Sequence, residues 1–112
     1  VNADTRALVS ELIKRLESEL PGIFHLPKYR WYYFYKGKSR KHKSLFAVLM
    51  LAKRSIGIRI RVDPGRFEDK LGITKRYKWF FREGERGFSI KSAEQINYAL
   101  ELIKQAYEFT EG

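Results

Sequence analysis

The sequence has no cysteine, one methionine, two histidines and three prolines among its 112 residues. A chain without cysteine forms no disulfide, offers no thiolate nucleophile and cannot build the cysteine-rich zinc sites of small domains. Its longest unbroken apolar run, Leu45 to Ala52, is eight residues long, whereas a helix that crosses a bilayer needs about 20. These absences predict a cytoplasmic chain with no membrane partner, no cofactor and no metal.

The length is typical of one domain, and a hydrophobic content of 44% is enough for a normal core. We therefore expect residues 1–112 to fold as a single domain. The first residue is Val1 and not methionine. This start predicts a fragment of a longer protein or a processed chain.

Basic charge is concentrated in the middle of the chain. Residues 28–91 hold 19 basic and five acidic side chains, a net charge of +14, and the remaining residues hold four basic and eight acidic, a net of −4. A positive field arranged in this way attracts a polyanion more than a small neutral ligand. Nucleic acid is therefore the predicted partner, and a basic surface that serves solubility alone is the simpler alternative.

Helices are predicted at both ends of the chain. Aliphatic residues recur at three- and four-residue spacing from Asp4 to Leu20, which is typical of a helix with one apolar face. Asp4 is its expected N-cap. Ser92 and Gln95 form a capping-box pattern before a second apolar stripe that runs to about Phe109.

Between the helices the apolar period changes to two, which indicates strands. Four are predicted at residues 29–36, 45–53, 56–62 and 77–82, and a short fifth at residues 88–91. Because short turns join several of them, the sheet is expected to be mainly antiparallel. The predicted fold is α+β in two layers, with about five strands and both helices packed on one face.

The other face of this sheet, hereafter the outer face, should carry cations and aromatic rings. If the isoleucines of residues 56–60 face the helices, Arg59 and Arg61 point outward. On the fourth strand the inward set is Tyr77, Trp79 and Phe81, and the outward set is Lys78, Phe80 and Arg82. Two outward rows are possible on the first strand: Trp31, Tyr33 and Tyr35, or Arg30, Tyr32, Phe34 and Lys36.

Rings beside cations can stack bases while the cations neutralise phosphates. The first-strand row that contains Tyr32 and Phe34 mixes aromatic and basic residues in the same way as the fourth strand. The predicted stacking residues are therefore Tyr32, Phe34 and Phe80. Aromatic residues also suit strands for packing reasons alone.

The densest charge lies in residues 36–43, hereafter the basic loop, between the first two predicted strands. Five of its eight residues carry a permanent positive charge: Lys36, Lys38, Arg40, Lys41 and Lys43. Like charges this close repel one another unless an anion lies among them. These side chains, together with Arg59, Arg61, Lys78 and Arg82, are the predicted phosphate contacts, which position a nucleic acid without reading its sequence.

Signatures of catalysis are nearly absent. His25 and His42 have no acidic or cysteine companion at ligand spacing, so they predict no metal site. Glu68 and Lys70 form an E-x-K triplet just after Asp63, a set with which some nucleases hold Mg²⁺ on adjacent strands, but here it falls in a predicted turn. We predict that the protein is not an enzyme, and a divergent nuclease is the weakest alternative.

The second half of the chain carries a recognisable pattern. It consists of the strand Ile56–Ile60, the aromatic segment Tyr77–Phe80 and the ending Ile90–Glu108, which closes with Ala-Tyr-Glu. Here the chain resembles a small prokaryotic family of unknown function, often labelled "predicted transport protein", that occurs alone or at the C-terminus of nuclease-like and restriction-associated proteins. The resemblance implies a fold rather than an activity, since that family has no established catalytic residues to transfer.

The predicted function is a non-catalytic accessory domain that binds DNA or RNA through the basic loop and the outer face. The alternative is a docking or dimerisation domain of a larger, restriction-associated protein, with Val48, Met50 and Phe80 as its apolar contact surface. Added salt distinguishes the two, because phosphate contacts weaken steeply with salt and apolar contacts do not.

Overall fold

A computed structural model describes residues 2–82 and 84–111. In chain order the elements are α1 (Ala3–Glu19), β1 (Ile23–Lys28), β2 (Trp31–Lys36), β3 (Leu45–Leu51), β4 (Ile56–Arg61), β5 (Lys75–Tyr77), β6 (Glu85–Ile90) and α2 (Ile96–Phe109). Single 3₁₀ turns at His42–Ser44 and Ala93–Gln95 precede β3 and α2. The predicted α+β class is confirmed. In this part of the chain, neither helix is long and apolar enough to cross a bilayer.

The strands form one antiparallel sheet in the order β1-β2-β3-β4-β6-β5. The predicted hairpin between β3 and β4 is present, with Leu51 paired to Ile56. The strand that the sequence pattern misses is β1, which pairs with β2 along its whole length. Its residues do not alternate clearly, and it contains Pro27, which has no backbone N–H. An edge strand tolerates proline where the N–H of that position would point away from the sheet and need no partner.

The fourth predicted strand, at residues 77–82, is misplaced. The chain is paired only at Lys75–Tyr77, leaves the sheet at Lys78 and returns to it at Glu85. Residues 78–82, hereafter the covering segment, lie over the outer face instead. Strand β6 correspondingly starts at Glu85, three residues before the predicted fifth strand.

Both helices pack on the same face of the sheet, where they form the main core. Leu12 and Leu16 of α1 and Ile103 of α2 are fully buried against the isoleucines of β4. The N-cap of α1 is Asn2, whose side-chain oxygen accepts the Thr5 N–H at 2.8 Å. The predicted cap at Asp4 is therefore wrong, and that carboxylate lies in the first turn instead.

The start of α2 agrees with the sequence pattern. The side-chain oxygen of Gln95 accepts the N–H of Ser92 at 3.1 Å and that of Lys91 at 2.6 Å. These bonds satisfy backbone donors just ahead of the helix, as a capping box does. The capping box predicted from Ser92 and Gln95 is confirmed.

Candidate nucleic-acid interface

The outer face is partly covered rather than open. A second apolar cluster lies on it, and its fully or nearly buried members are Tyr35, Leu45, Val48 and Phe81. Phe81 belongs to the covering segment, so this segment closes the cluster from above. The arrangement explains why β3 is apolar on both faces. It also removes Val48 from the predicted docking surface, because that side chain is fully buried.

A buried carboxylate holds the covering segment in place. One oxygen of Glu85 accepts the backbone N–H groups of Phe80 at 2.6 Å and Phe81 at 3.0 Å. The other oxygen lies 3.0 Å from the guanidinium of Arg59. A buried charge is tolerated when it is both paired and hydrogen-bonded, and Glu85 meets both conditions.

Arg59 consequently has a structural role, which its prediction as a phosphate contact did not include. Its side chain is 11% exposed. The guanidinium carbon lies 3.5 Å from the ring centre of Tyr77 and 5.0 Å from that of Trp79. This geometry gives cation–π contacts with two rings. The positive charge of Arg59 is neutralised by the Glu85 carboxylate.

Gly87 makes the stacking of Arg59 on Tyr77 possible. A Cβ atom at Gly87 would lie 2.5 Å from the Tyr77 ring and 2.7 Å from Cδ of Arg59. Both distances are far below van der Waals contact, so any larger residue must displace both side chains. Glycine in the interior of a strand often marks such a close approach.

Arg61 is also engaged by the protein itself. Its Nε donates to the Leu45 carbonyl at 2.9 Å, and Nη2 donates to the His42 carbonyl at 2.7 Å. Its guanidinium carbon lies 4.8 Å from the Phe81 ring centre. Arg61 therefore anchors the end of the basic loop, and its role as a phosphate contact stays a prediction.

Lys36 is the third predicted contact that has a structural role. Its ammonium donates to the carbonyls of Tyr107 at 2.8 Å and Thr110 at 3.0 Å. Carbonyls at a helix C-terminus have no partner within the helix, and the negative end of the helix dipole attracts a cation. Lys36 therefore caps α2 and ties it to the sheet.

Six predicted contacts remain exposed. Four lie in the basic loop and two in the covering segment: Lys38, Arg40, Lys41, Lys43, Lys78 and Arg82. The two segments meet where Nε2 of His42 donates to the Phe80 carbonyl at 2.6 Å. Strand β3 starts, and β4 and β5 end, at this same end of the antiparallel sheet, so the structure gathers these cations there.

The three predicted stacking residues lie on different faces of the sheet. Phe34 is completely buried on the helix-covered face, so its prediction as a base platform is wrong. Tyr32 is half-buried against the same core and therefore does not lie on the outer face as predicted. The outward row of β2 is the other one. Phe80 does lie on the outer face, with its ring centre 5.6 Å from that of Trp31 and 6.3 Å from that of Tyr33.

Trp79, which the sequence pattern assigns to the core, is 72% exposed. It lines a cavity of about 540 Å³ next to β5, hereafter the edge cavity. Four cations line this cavity: Arg76, Lys78, Arg82 and Arg86. The sequence pattern misses the cavity because it treats residues 77–82 as one strand. A signal that could have found it is the run of cations flanking the aromatic segment.

The geometry of the nuclease alternative is not present. Asp63, Glu68 and Lys70 lie in the loop between β4 and β5 rather than on adjacent strands. One oxygen of Asp63 accepts the Gly65 N–H, and the backbone of Glu68 is held by the Gln105 amide. Within residues 2–82 and 84–111, no group of three His, Asp or Glu side chains could hold a metal ion.

Comparison with protein-family models, with curated proteins and with solved structures found no match. The resemblance to the small prokaryotic family therefore stays a prediction from the sequence. The function has to be argued from the geometry of the surface itself.

Proposed function

We propose that the chain is a non-catalytic, cytoplasmic accessory domain that binds DNA or RNA. One observation carries the proposal: six exposed cations of the basic loop and the covering segment lie at one end of the sheet. The bond between His42 and Phe80 joins the two segments. A polyanion is the partner that such a concentration of like charge favours.

The acidic side chain of Glu85 does not cancel this surface. Glu85 lies beneath the covering segment, and Arg59 and two backbone amides already engage its carboxylate. Cations of the proposed kind contact phosphates and fix the position of a strand without reading bases. The proposed binding is therefore strong at low salt and weak in sequence preference.

The test is a salt titration with a triple variant. Lys38, Arg40 and Lys41 are changed together to alanine, and binding of labelled DNA and RNA is measured by fluorescence anisotropy at several salt concentrations. We expect weaker binding to every sequence, and a salt slope reduced by about 0.7–0.9 for each phosphate that the variant no longer neutralises. Folding should be unaffected, since exposed charges contribute little stability.

A matched control separates local contact from overall charge. Arg6, Lys14 and Lys104 are exposed residues of the two helices, and changing all three to alanine removes the same net charge from the opposite layer. This control should keep the wild-type salt slope. Equally weakened binding in both triple variants would contradict a local interface, and the absence of salt-sensitive binding by the wild type would overturn the proposal.

Exposed aromatic side chains favour a second candidate, a docking domain for a second copy or for another domain of a longer protein. Trp79 and Trp31 are exposed on the outer-face side, and Phe80 is half-buried beside Trp31. Such association should persist at high salt. Sedimentation equilibrium of the wild type and of Trp31→Ala at high salt tests it, and a monomer at all concentrations excludes the second copy.

A further inference from the structure

The edge cavity contains a pair of arginines in an electrostatically unfavourable position. Arg76 of β5 and Arg86 of β6 are directly opposite one another in the antiparallel register. Like charges opposite each other on one face of a sheet repel. Within the described ranges 2–82 and 84–111, no carboxylate forms an ion pair with either of them.

Among the residues that the structure describes, the cavity lining holds one acidic side chain, and it is already engaged. This side chain is Glu85, and its carboxylate is engaged by Arg59 and by the Phe80 and Phe81 amides. Lys78 and Arg82 add two further cations to the lining. An external anion with several oxygens, such as a phosphate, would satisfy both guanidinium groups, because their fork geometry matches such oxygens.

The cavity is also lined by an aromatic side chain on the other side of the sheet edge. Arg86 is paired with Ile60 and therefore projects toward the helix-covered side, whereas Trp79 lies against Arg59 of the outer face. Trp79 lines the same cavity, and its indole is 72% exposed even though Arg59 lies over it at 5.0 Å. A large exposed ring in a groove that is lined by cations is the arrangement that proteins use to stack the bases of single strands. The volume of about 540 Å³ falls in the range of small-molecule sites, about 300–1,000 Å³, and can admit a nucleotide-sized group.

We infer that the edge cavity binds an unpaired stretch of nucleic acid that passes around the end of β5, with a phosphate at Arg76 and Arg86 and a base on Trp79. The inference rests on the proposed nucleic-acid function and adds the kind of strand that is bound. A base within a duplex has its faces covered by its neighbours, so only an unpaired base can stack on the indole. The basic loop contacts single and double strands alike, and the cavity distinguishes them.

The first test uses Trp79→Ala, with a fluorescein-labelled oligothymidine of about 15 nucleotides and a duplex of the same length as probes. Removal of one stacking platform should weaken oligothymidine binding about 5- to 150-fold and leave duplex binding within about twofold. The control is Tyr29→Ala, an aromatic residue that is 91% exposed in the β1–β2 turn at the opposite edge of the sheet. It should change neither affinity.

The second test uses Arg76→Gln combined with Arg86→Gln. The oligothymidine salt slope should fall by about 0.7 for each phosphate that is no longer neutralised. The control is Arg30→Gln combined with Arg54→Gln, two exposed arginines in turns at the other end of the sheet, which should keep the wild-type slope. Thermal melting should show that all variants are folded, because none of these four side chains forms an ion pair within the part of the chain that the structure describes.

The outcomes separate the two proposals. If the wild type binds oligothymidine and the cavity variants bind it equally well, the cavity inference is overturned and the proposed function stands. Equal weakening on single strand and duplex also overturns it, since the cavity would then not distinguish strands. If the wild type binds neither probe at any salt concentration, the proposed function itself fails.

Discussion

Arg59 on β4 and Glu85 at the start of β6 lie 3.0 Å apart with their side chains 11% and 0% exposed. The pair connects the sheet to the covering segment, because the same carboxylate accepts two of that segment's backbone N–H groups. The placement of Phe80 and Phe81 on the outer face therefore depends on one charged residue.

Removal of Glu85 should destabilise the fold more than removal of Arg59. Glu85→Leu leaves a buried guanidinium and two backbone donors without an acceptor, and breaking such a pair costs about 3–5 kcal/mol. Arg59→Leu leaves a carboxylate that still accepts two hydrogen bonds, so its cost should be smaller. Urea unfolding of both variants measures the order, and a greater destabilisation by Arg59→Leu would contradict it.

Gly87→Ala should lower stability even though alanine is normally the better strand residue. The added methyl group would overlap the Tyr77 ring and the Arg59 side chain, and overpacking of this kind costs about 1–3 kcal/mol. Gly65→Ala is the matched control, because its new Cβ would meet no atom nearer than 3.6 Å. Thermal melting that ranks the two variants equally would argue against the close approach.

Lys36 and Lys38 should behave in opposite ways although both belong to the basic loop. Lys36→Ala removes two bonds from an ammonium to the end of α2, and hydrogen bonds from charged groups contribute about 1.5–3 kcal/mol. Lys38→Ala removes an exposed charge and should leave the free energy of unfolding unchanged. For nucleic-acid binding we expect the opposite order, with Lys38→Ala weakening the affinity more than Lys36→Ala. Chemical denaturation and anisotropy on the same two variants test both statements.

Asp69 should give the fold an acid-sensitive contribution. Burial raises the pKa of its carboxyl, but hydrogen bonds from Tyr98 and Thr74 outweigh that effect, so the pKa lies below the usual value. A carboxyl pKa that is lower in the folded than in the unfolded protein stabilises the folded state at pH values above the unfolded pKa, about 4. This stabilisation is lost as the pH falls through the folded-state pKa.

Asp69→Ala should therefore be less stable than the wild type near neutral pH, and the difference should shrink on acidification. Melting temperatures of both proteins between about pH 7 and pH 3 provide the measurement. Tyr98→Phe, which removes one donor to the carboxylate, should show a smaller change of the same sign. A difference that stays constant or grows in acid would show that the carboxylate charge is not involved.

The sequence predicts the elements whose periodicity arises from burial. The apolar stripes of α1 and α2 and the alternation of Ile56, Ile58 and Ile60 follow directly from packing on one core. The parity of β2 could not be found in this way, because both of its rows are aromatic. Tyr32 and Phe34 face the helices, where Phe34 packs against Phe46.

The sequence pattern could not predict which cations are exposed and which are bound by other groups of the protein. Lys36, Arg59 and Arg61 have the spacing of solvated outward residues, yet each is bound by groups distant in sequence. The path of the covering segment likewise depends on a contact with a residue distant in sequence. It requires the Glu85 carboxylate, which is stabilised by an arginine 26 residues away, so local alternation favoured a strand that does not form.

The two edges of the sheet limit how this protein can associate with others. Edge strand β5 has only three residues, among them the exposed cations Lys75 and Arg76, and edge strand β1 contains Pro27. Short length, like charge and a missing N–H all discourage a foreign strand from extending a sheet. Any self-association should therefore use side chains of the outer face, and the isolated chain should resist the edge-to-edge pairing that begins fibril growth.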